Sequence, residues 1–461
     1  FDLSKTELSS HFIALPTSFI SPLVFNHKDL SPLLGKRLDI ELKTLFDSEK
    51  QEIGYWDMNI DSSTLHAKAR LFLEKAATLY KSKNPTAIIR WKVTPEAYSF
   101  LKNDFFKELK GSLVEPFTIT THLSSLHIPL PFQKTSLTKG EFKALLSTSQ
   151  IKLKDDNKVL MPLTVRGNFS SQFLSNKLIF ENYFTVGDSV TKIAGNIDNL
   201  VTINKDVKNL NNLAFDLQFK SNELPLTYAK TLGLLSKEKI AWLSYLFGNK
   251  INIEGEGHLN QLSGRLKSEI TGEKGKAKLD GIIDNGIFTL ASPFTLSSTL
   301  SSEIESKKRV FFLDQAIKAE QPLQLIIEPE GFYCQLIPFK LEKLTVKKGS
   351  ISTNRIHFLN QGELKNLFGY IAPIKESSFS IWFTPIYFHI DKQIFYLNRF
   401  DLLIANLYPL ACWGKISLNG ENMDLNLGLT ASLLDQTFKI TGLDPDYILQ
   451  IPITRSKKGE L

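Results

Sequence analysis

The chain repeats itself at a step of about 210 residues, and this limits what it can fold into more than any other feature. Ala14-Leu15-Pro16-Thr17-Ser18-Phe19 returns as Glu223-Leu224-Pro225-Leu226-Thr227-Tyr228, a step of 209 from Ala14 to Glu223. Leu30-Ser31-Pro32-Leu33-Leu34-Gly35 returns as Leu243-Ser244-Tyr245-Leu246-Phe247-Gly248, a step of 213 from Leu30 to Leu243. Strand-like runs follow each, Leu38-Asp39-Ile40-Glu41 and Ile251-Asn252-Ile253-Glu254. Ala67-Lys68-Ala69-Arg70-Leu71 has a looser counterpart in Lys276-Ala277-Lys278-Leu279. A long module of helical segment plus many strands therefore occurs twice, which points to an elongated repeat protein rather than a compact enzyme.

The strands carry a period of two. Phe215-Asp216-Leu217-Gln218-Phe219-Lys220 alternates apolar and polar residues, and so do Ile251-Asn252-Ile253-Glu254-Gly255-Glu256 and Met423-Asp424-Leu425-Asn426-Leu427-Gly428-Leu429. The pattern is that of antiparallel strands with one wet face. Turn signals stand at Asp284-Asn285-Gly286, Asn419-Gly420, Lys139-Gly140 and Lys348-Gly349,. Helices are few. Residues 225–247 read as two short helices, with Pro225 in a first turn, Ser236 as a cap and Gly248 as a stop. Residues 16–34 form the broken counterpart, Pro95 to about Lys110 is a third, and 362–369 and 401–411 are weaker candidates.

Some twenty amphipathic strands each need an apolar face kept from water, and so few helices cannot cover them. A sandwich or a barrel is one solution. Another is a long twisted antiparallel sheet rolled into an elongated groove with its apolar face covered by lipid. The expected fold is mostly β, internally duplicated, with a few short helices. Its expected organisation is residues 1–135 as a first repeat module, 136–220 as connecting strands, 221–345 as a second module and 346–461 as a C-terminal β region.

Composition excludes several classes. With 42% hydrophobic residues and 33 Phe, the chain can bury a large core and is not disordered,. Its net charge of +7 comes from scattered lysines. This suits a solvated surface or an anionic membrane, and no basic stripe with interleaved aromatics points to nucleic acid. Cys334 and Cys412 are too few for a disulfide framework and read as buried free thiols,. No run of 18 apolar residues crosses a membrane. The start at Phe1 and the end in Ile453-Thr454-Arg455-Ser456-Lys457-Lys458 read as those of a piece of a longer protein.

Catalytic chemistry is not legible. The eight histidines never fall at metal-binding spacing, and no nucleophile elbow, phosphate loop or dinucleotide fingerprint occurs,. Glu254, Glu256 and His258 share one polar strand face, which reads as solvated rather than metal-binding. Gly272-Glu273-Lys274-Gly275-Lys276 lies between two strands and reads as a hairpin tip, not a phosphate cradle. Phe379-Ser380-Ile381-Trp382-Phe383 with Ile386-Tyr387-Phe388 reads as a ligand wall or a buried strand pair around Pro385. Neither a catalytic residue, a metal nor a cofactor is expected, and an enzyme on a β scaffold would need paired carboxylates that are not visible.

The C-terminal third reads Trp382-Phe383-Thr384-Pro385, Asn398-Arg399-Phe400-Asp401-Leu402-Leu403-Ile404-Ala405 and Trp413-Gly414-Lys415-Ile416. It continues with Met423 to Leu429 and closes with Tyr447-Ile448-Leu449-Gln450-Ile451-Pro452-Ile453. This resembles the C-terminal region of AsmA-like bacterial envelope proteins. Asn285-Gly286-Ile287-Phe288-Thr289-Leu290 with Pro293-Phe294 resembles their repeated strand-turn-strand units. Thr454 is followed by Arg455, where the closing strand of that family often leads into Gly-Thr. The resemblance implies a long β-groove protein of the periplasm, anchored in the inner membrane by a segment before Phe1. It also implies carriage of phospholipid or another acyl lipid towards the outer membrane, with envelope protein partners. The expected groove lining is Phe215, Leu217, Phe219, Ile251, Ile253, Leu425, Leu427 and Leu429. The competing expectation is a structural or adhesive β-rich surface protein without lipid transport.

Overall fold

The computed structural model describes residues 5–24, 29–47, 52–74, 79–81, 87–104, 111–129, 141–155, 158–159, 162–174, 177–198, 214–231, 237–299, 316–336, 339–360, 374–418 and 422–455. The protein is mostly β, and its strands pair antiparallel. The chain divides into two compact units, Phe1–Ser236 and Lys237–Leu461. The module boundary expected near residue 135 lies outside the described residues, and residue 345 falls inside a strand.

The first unit runs β1 (Lys5–Pro16), α1 (Thr17–Val24), α2 (Ser31–Leu34), β2 (Arg37–Asp47), β3 (Glu52–Ser62), β4 (Leu65–Glu74), β5 (Leu79–Lys81), β6 (Ala87–Val93) and α3 (Pro95–Asp104). It continues with β7 (Ser112–Leu113), β8 (Phe117–Pro129), β9 (Glu141–Thr148), β10 (Leu153–Asp155), β11 (Lys158–Val159), β12 (Val165–Leu174), β13 (Lys177–Val186), β14 (Ser189–Asp198), β15 (Ala214–Pro225) and α4 (Leu226–Thr231). Each long strand pairs with the next, in the order β1-β2-β3-β4-β6-β8-β9-β12-β13-β14-β15, and β5 bridges β4 to β8 beyond β6. β7, β10 and β11 make a separate small sheet.

The second unit runs α5 (Lys237–Phe247), β16 (Lys250–Asn260), β17 (Ser263–Gly272), β18 (Gly275–Asp284), β19 (Ile287–Leu290), β20 (Phe294–Ser298), β21 (Ala316–Ala319), β22 (Leu323–Ile327), β23 (Tyr333–Leu336), β24 (Phe339–Ser352) and β25 (Arg355–Leu359). It ends with β26 (Ser378–Phe383), β27 (Ile386–Asp391), β28 (Ile394–Ile404), β29 (Tyr408–Ser417), β30 (Met423–Thr430), α6 (Ala431–Phe438) and β31 (Ile448–Arg455).

The repeat reappears at the level of single hydrogen bonds. Ala14 and Glu223, each just before a Leu-Pro, both take a left-handed backbone, with φ of 53° and 49°. Gly35 and Gly248 end the helical corners at φ 83° and 93°, donating to Ser31 O and Ser244 O. Only glycine enters that conformation without a Cβ penalty. The Leu33 carbonyl accepts from Trp91 Nε1 at 2.8 Å, and its counterpart, the Leu246 carbonyl, accepts from Ser298 Oγ at 2.8 Å. Lys92 N–H donates to Thr64 O as Thr299 N–H donates to Lys274 O. In both copies the third strand after the corner pairs with two successive strands, β4 with β5 and β6, β18 with β19 and β20. A third strand-helix-strand corner, β30-α6-β31, closes the described chain.

Helix ends follow local chemistry. Thr94 Oγ1 accepts from Ala97 N–H at the start of α3, and Thr430 Oγ1 from Leu433 N–H at the start of α6,. The segment 401–411, read as a helix, is instead the hairpin of β28 and β29, because Ala405 and Asn406 turn the chain in two left-handed residues,. Lys348-Gly349 is not a turn either. Gly349 sits inside β24, where a Cβ would lie 2.2 Å from the ring of Phe388 on the neighbouring strand. Asn285-Gly286 is a turn as expected, with both residues at positive φ. Asn419-Gly420, Lys139-Gly140, Ser236 and the 362–369 segment lie outside the described residues.

In the second unit a line of breaks crosses neighbouring strands at Asn354 and at Thr384-Pro385. The register is the same on both sides, with Ile351 opposite Ile386 and Arg355 opposite Trp382. The buried positions change parity there: Gly349 gives way to Ile356 and Phe358, and Ile381 to Phe388 and Ile390. The left-handed Asn354 inserts the half-turn that keeps apolar residues on the inner side,. Phe383 N–H to Asn354 O and Thr384 N–H to Asp401 O carry the ladder across the break.

Candidate functional site

In the first unit the registers put alternate residues of every long strand on one face. Leu38 lies opposite Ser62, Ile40 opposite Ile60 and Leu42 opposite Met58. The row passes through Ile60 and Ala67, Ala67 and Ile89, Ile89 and Thr121, then Leu123 and Ala144, Ala144 and Phe169. It ends in Phe180 opposite Gly195 and Gly195 opposite Leu217. Directly opposed residues point to the same side, so one largely apolar face runs over ten long strands from β2 to β15, with Thr121 and Asn182, the residue opposite Phe169, as polar positions within it,.

This face is closed at one end and open further along. At the helix side, Val93, Ala97, Tyr98, Leu113, Phe117 and Leu153 form a buried cluster under α3 and the small sheet. Leu163, Val186 and Tyr228 form another. Away from that end, Ile40, Leu42, Met58, Ile60, Ile89, Ile119, Leu123, Phe169, Phe180 and Ile193 are only half-buried. Glycines let aromatic rings lie flat across this surface: a Cβ at Gly167 would lie 2.8 Å from the ring of Phe169,.

Of the expected lining residues, Phe215, Leu217 and Phe219 share this face on β15. Phe215 and Phe219 are half-buried and Leu217 is 37% exposed. Ile251 is buried and Ile253 half-buried on the apolar side of β16. Leu425, Leu427 and Leu429 do not line an open surface. They are buried; Leu427 and Leu429 pack in a core with Ile356, Phe358, Leu402, Leu410 and, from α6, Leu433 and Leu434. The helix that follows β30 supplies this cover, and the strand alternation alone cannot reveal it. Asp216, Gln218, Asn252 and Glu254 are exposed, whereas Asp424 and Asn426 are half-buried.

The opposite face carries cross-strand ion pairs. Arg70 clasps Asp57 through Nε at 2.5 Å and Nη2 at 2.6 Å; in the second unit, Arg265 of β17 likewise clasps Asp280 of β18 at 3.0 and 2.9 Å. The Arg265 guanidinium holds the Asp280 carboxyl below the usual carboxylate range,. Lys192 meets Glu181 at 2.8 Å, and Tyr183 donates to the same carboxylate at 2.6 Å. Such pairs pin the register, since a slip of one residue would turn every apolar side chain outward.

The weaker sequence candidates resolve plainly. Glu254, Glu256 and His258 point to solvent, and Glu256 meets Lys267 at 3.5 Å. Among the described residues no group of His, Cys, Asp or Glu has metal-site geometry. The Gly272 to Gly275 turn packs against the end of α5: a Cβ at either glycine would lie 2.1 Å from Phe247 O or 2.4 Å from Leu246 O. In the aromatic stretch, Phe379, Ile381 and Phe388 are buried while Trp382 and Tyr387 are exposed, so it forms a sheet wall with two sides. Both cysteines are free; Cys334 is buried, and burial pushes the Cys412 thiol up to about 11. No helix among the described residues is long and apolar enough to cross a membrane. In comparisons with known proteins, no family model, curated protein or solved structure matches the chain.

Proposed function

We propose that the chain binds the acyl chains of lipid along the apolar face of β2 to β15. In this reading it is the lipid-guiding segment of an AsmA-like protein that moves phospholipid between the membranes of a bacterial envelope. The observation that carries the reading is the largely apolar face across the ten long strands from β2 to β15, half-buried away from the helices and the small sheet. Water against so much apolar surface costs about 25 cal/mol per Å², and an acyl chain relieves about 0.8 kcal/mol per methylene withdrawn from water. A monomeric soluble protein rarely leaves a continuous apolar surface of this length uncovered. The ion-paired outer face keeps the same strands soluble.

The test is direct. The delipidated chain should take up a fluorescent fatty acid in saturable fashion, and gently purified chain should yield lipid by mass spectrometry. Phe219→Asp should weaken uptake at least tenfold, since a carboxylate on an apolar face costs several kcal/mol or takes up a proton. Gln218→Asp, one residue along and facing outward, should leave uptake unchanged. Equal uptake by both variants, or no uptake by the parent chain, would move the assignment to a structural β-rich protein.

A further inference from the structure

We propose that the outer edge of β1 is a docking site for the closing strand of another copy of the module, an antiparallel strand with the pattern of β14. The inference rests on the internal repeat and is independent of lipid binding. β15 is the second-copy counterpart of β1: both run into a left-handed residue, a Leu-Pro and a helical corner. β15 is paired on its outer side with β14 from Val190 opposite Asn222 to Asp198 opposite Ala214. Among the described residues β1 pairs only with β2.

Exposure records the difference. Leu8 is 59% exposed, and its counterpart Leu217, at the step of 209, is 37% exposed. Phe12 is 47% exposed, whereas the equivalent Ser221 is fully buried against β14, hydrogen-bonded to Thr191 at 2.8 Å. An edge that leaves large apolar side chains and a row of backbone donors and acceptors open is a template for strand addition. β1 carries no proline before Pro16 that would interrupt the row. The last strand of the second unit differs: β31 contains Pro452, and its ladder with β30 runs through that residue without a shift, so the missing N–H falls on the side away from β30,. Leu449 on β31 is 40% exposed, against 3% for Leu38 at the matching place in β2, yet its edge is the guarded one.

Transferring the β14 register by the step of 209 sets Thr191 opposite Phe12, Ile193 opposite Ser10 and Gly195 opposite Leu8. The probe is therefore a fluorescein-labelled peptide of residues Ser189–Asp198 added to the whole chain, followed by anisotropy. Saturable binding is expected. Of two peptides N-methylated at complementary sets of alternate residues, one should lose binding and the other keep it, as strand pairing requires. Leu8→Asp and Phe12→Asp, at exposed positions, should weaken binding at least tenfold with unchanged circular dichroism and melting temperature. Glu7→Gln, on the outer face, should bind as the parent does. Absence of saturable binding, equal loss with both N-methylated sets, or binding indifferent to Leu8→Asp and Phe12→Asp would each overturn the proposal. So would a dimer by sedimentation velocity that the peptide does not dissociate, because β1 would then pair with β1 of a second chain.

Discussion

Leu427→Ala and Leu217→Ala remove the same atoms from two strands of the same alternating pattern and should differ severalfold in cost. Leu427 is 4% exposed, enclosed by strands on both sides and by Leu433 and Leu434 of α6. Its truncation leaves a cavity in a packed core, which costs about 2–5 kcal/mol. Leu217 is 37% exposed on the half-buried face. Its truncation opens to solvent and leaves no enclosed void, so only the transfer part remains, roughly 1 kcal/mol. In urea denaturation, with a slope of about 3 kcal/mol per molar, the first substitution should lower the midpoint of the second unit by about 1 M and the second that of the first unit by about 0.3 M. Hydrogen exchange read peptide by peptide assigns each shift to its unit. With saturating lipid present, Leu217→Ala should recover less of the stability gained by the parent chain, and Leu427→Ala should behave as it does without lipid. Equal costs for the two truncations would refute the distinction between a closed core and an uncovered face.

Two further outcomes test the packing and the electrostatics. Gly349→Ala should cost about 2–3 kcal/mol in thermal unfolding, because the new methyl meets the ring of Phe388, which is itself buried and stacked on Phe395 at 4.5 Å,. Gly255→Ala, whose Cβ would be 3.3 Å from Lys267 O, should cost less than half as much. The Asp280 carboxyl is held below its ordinary value by Arg265, so its contribution is present above the unfolded carboxylate value near pH ~4 and is lost as pH falls through the folded one,. Asp280→Asn should therefore lower the melting temperature at pH 7, by an amount that shrinks as pH falls below about 4; a difference that does not shrink in acid would contradict the assignment,.

Much of the fold was legible because it is carried by short-range rules. The period of two in Phe215 to Phe219 and Ile251 to Ile253 announces strands with an apolar side, and Asn285-Gly286 announces a turn. The Leu-Pro and Leu-Ser-x-Leu-x-Gly recurrences announce the duplicated corners, including the left-handed residues at Gly35 and Gly248. Turns at Gln261-Leu262, Lys392-Gln393 and Ala405-Asn406 were not legible. Apart from Asn406, their residues do not favour positive φ, and the twist of the flanking strands imposes it,. The α6 helix was missed for a related reason: the apolar alternation of β30 runs straight into it.

That the chain is β-rich, duplicated and amphipathic strand by strand follows from neighbours along it, since propensity and periodicity are local properties. Which apolar stretches are covered depends instead on the folded packing. Leu217 and Leu427 stand in the same local pattern, but α6 folds back over one and no described element covers the other. The parity change at Asn354 was equally invisible, because a single left-handed residue exchanges the two faces of a strand without altering its composition. Burial depends on what arrives from far along the chain, and an alternating segment holds no record of that.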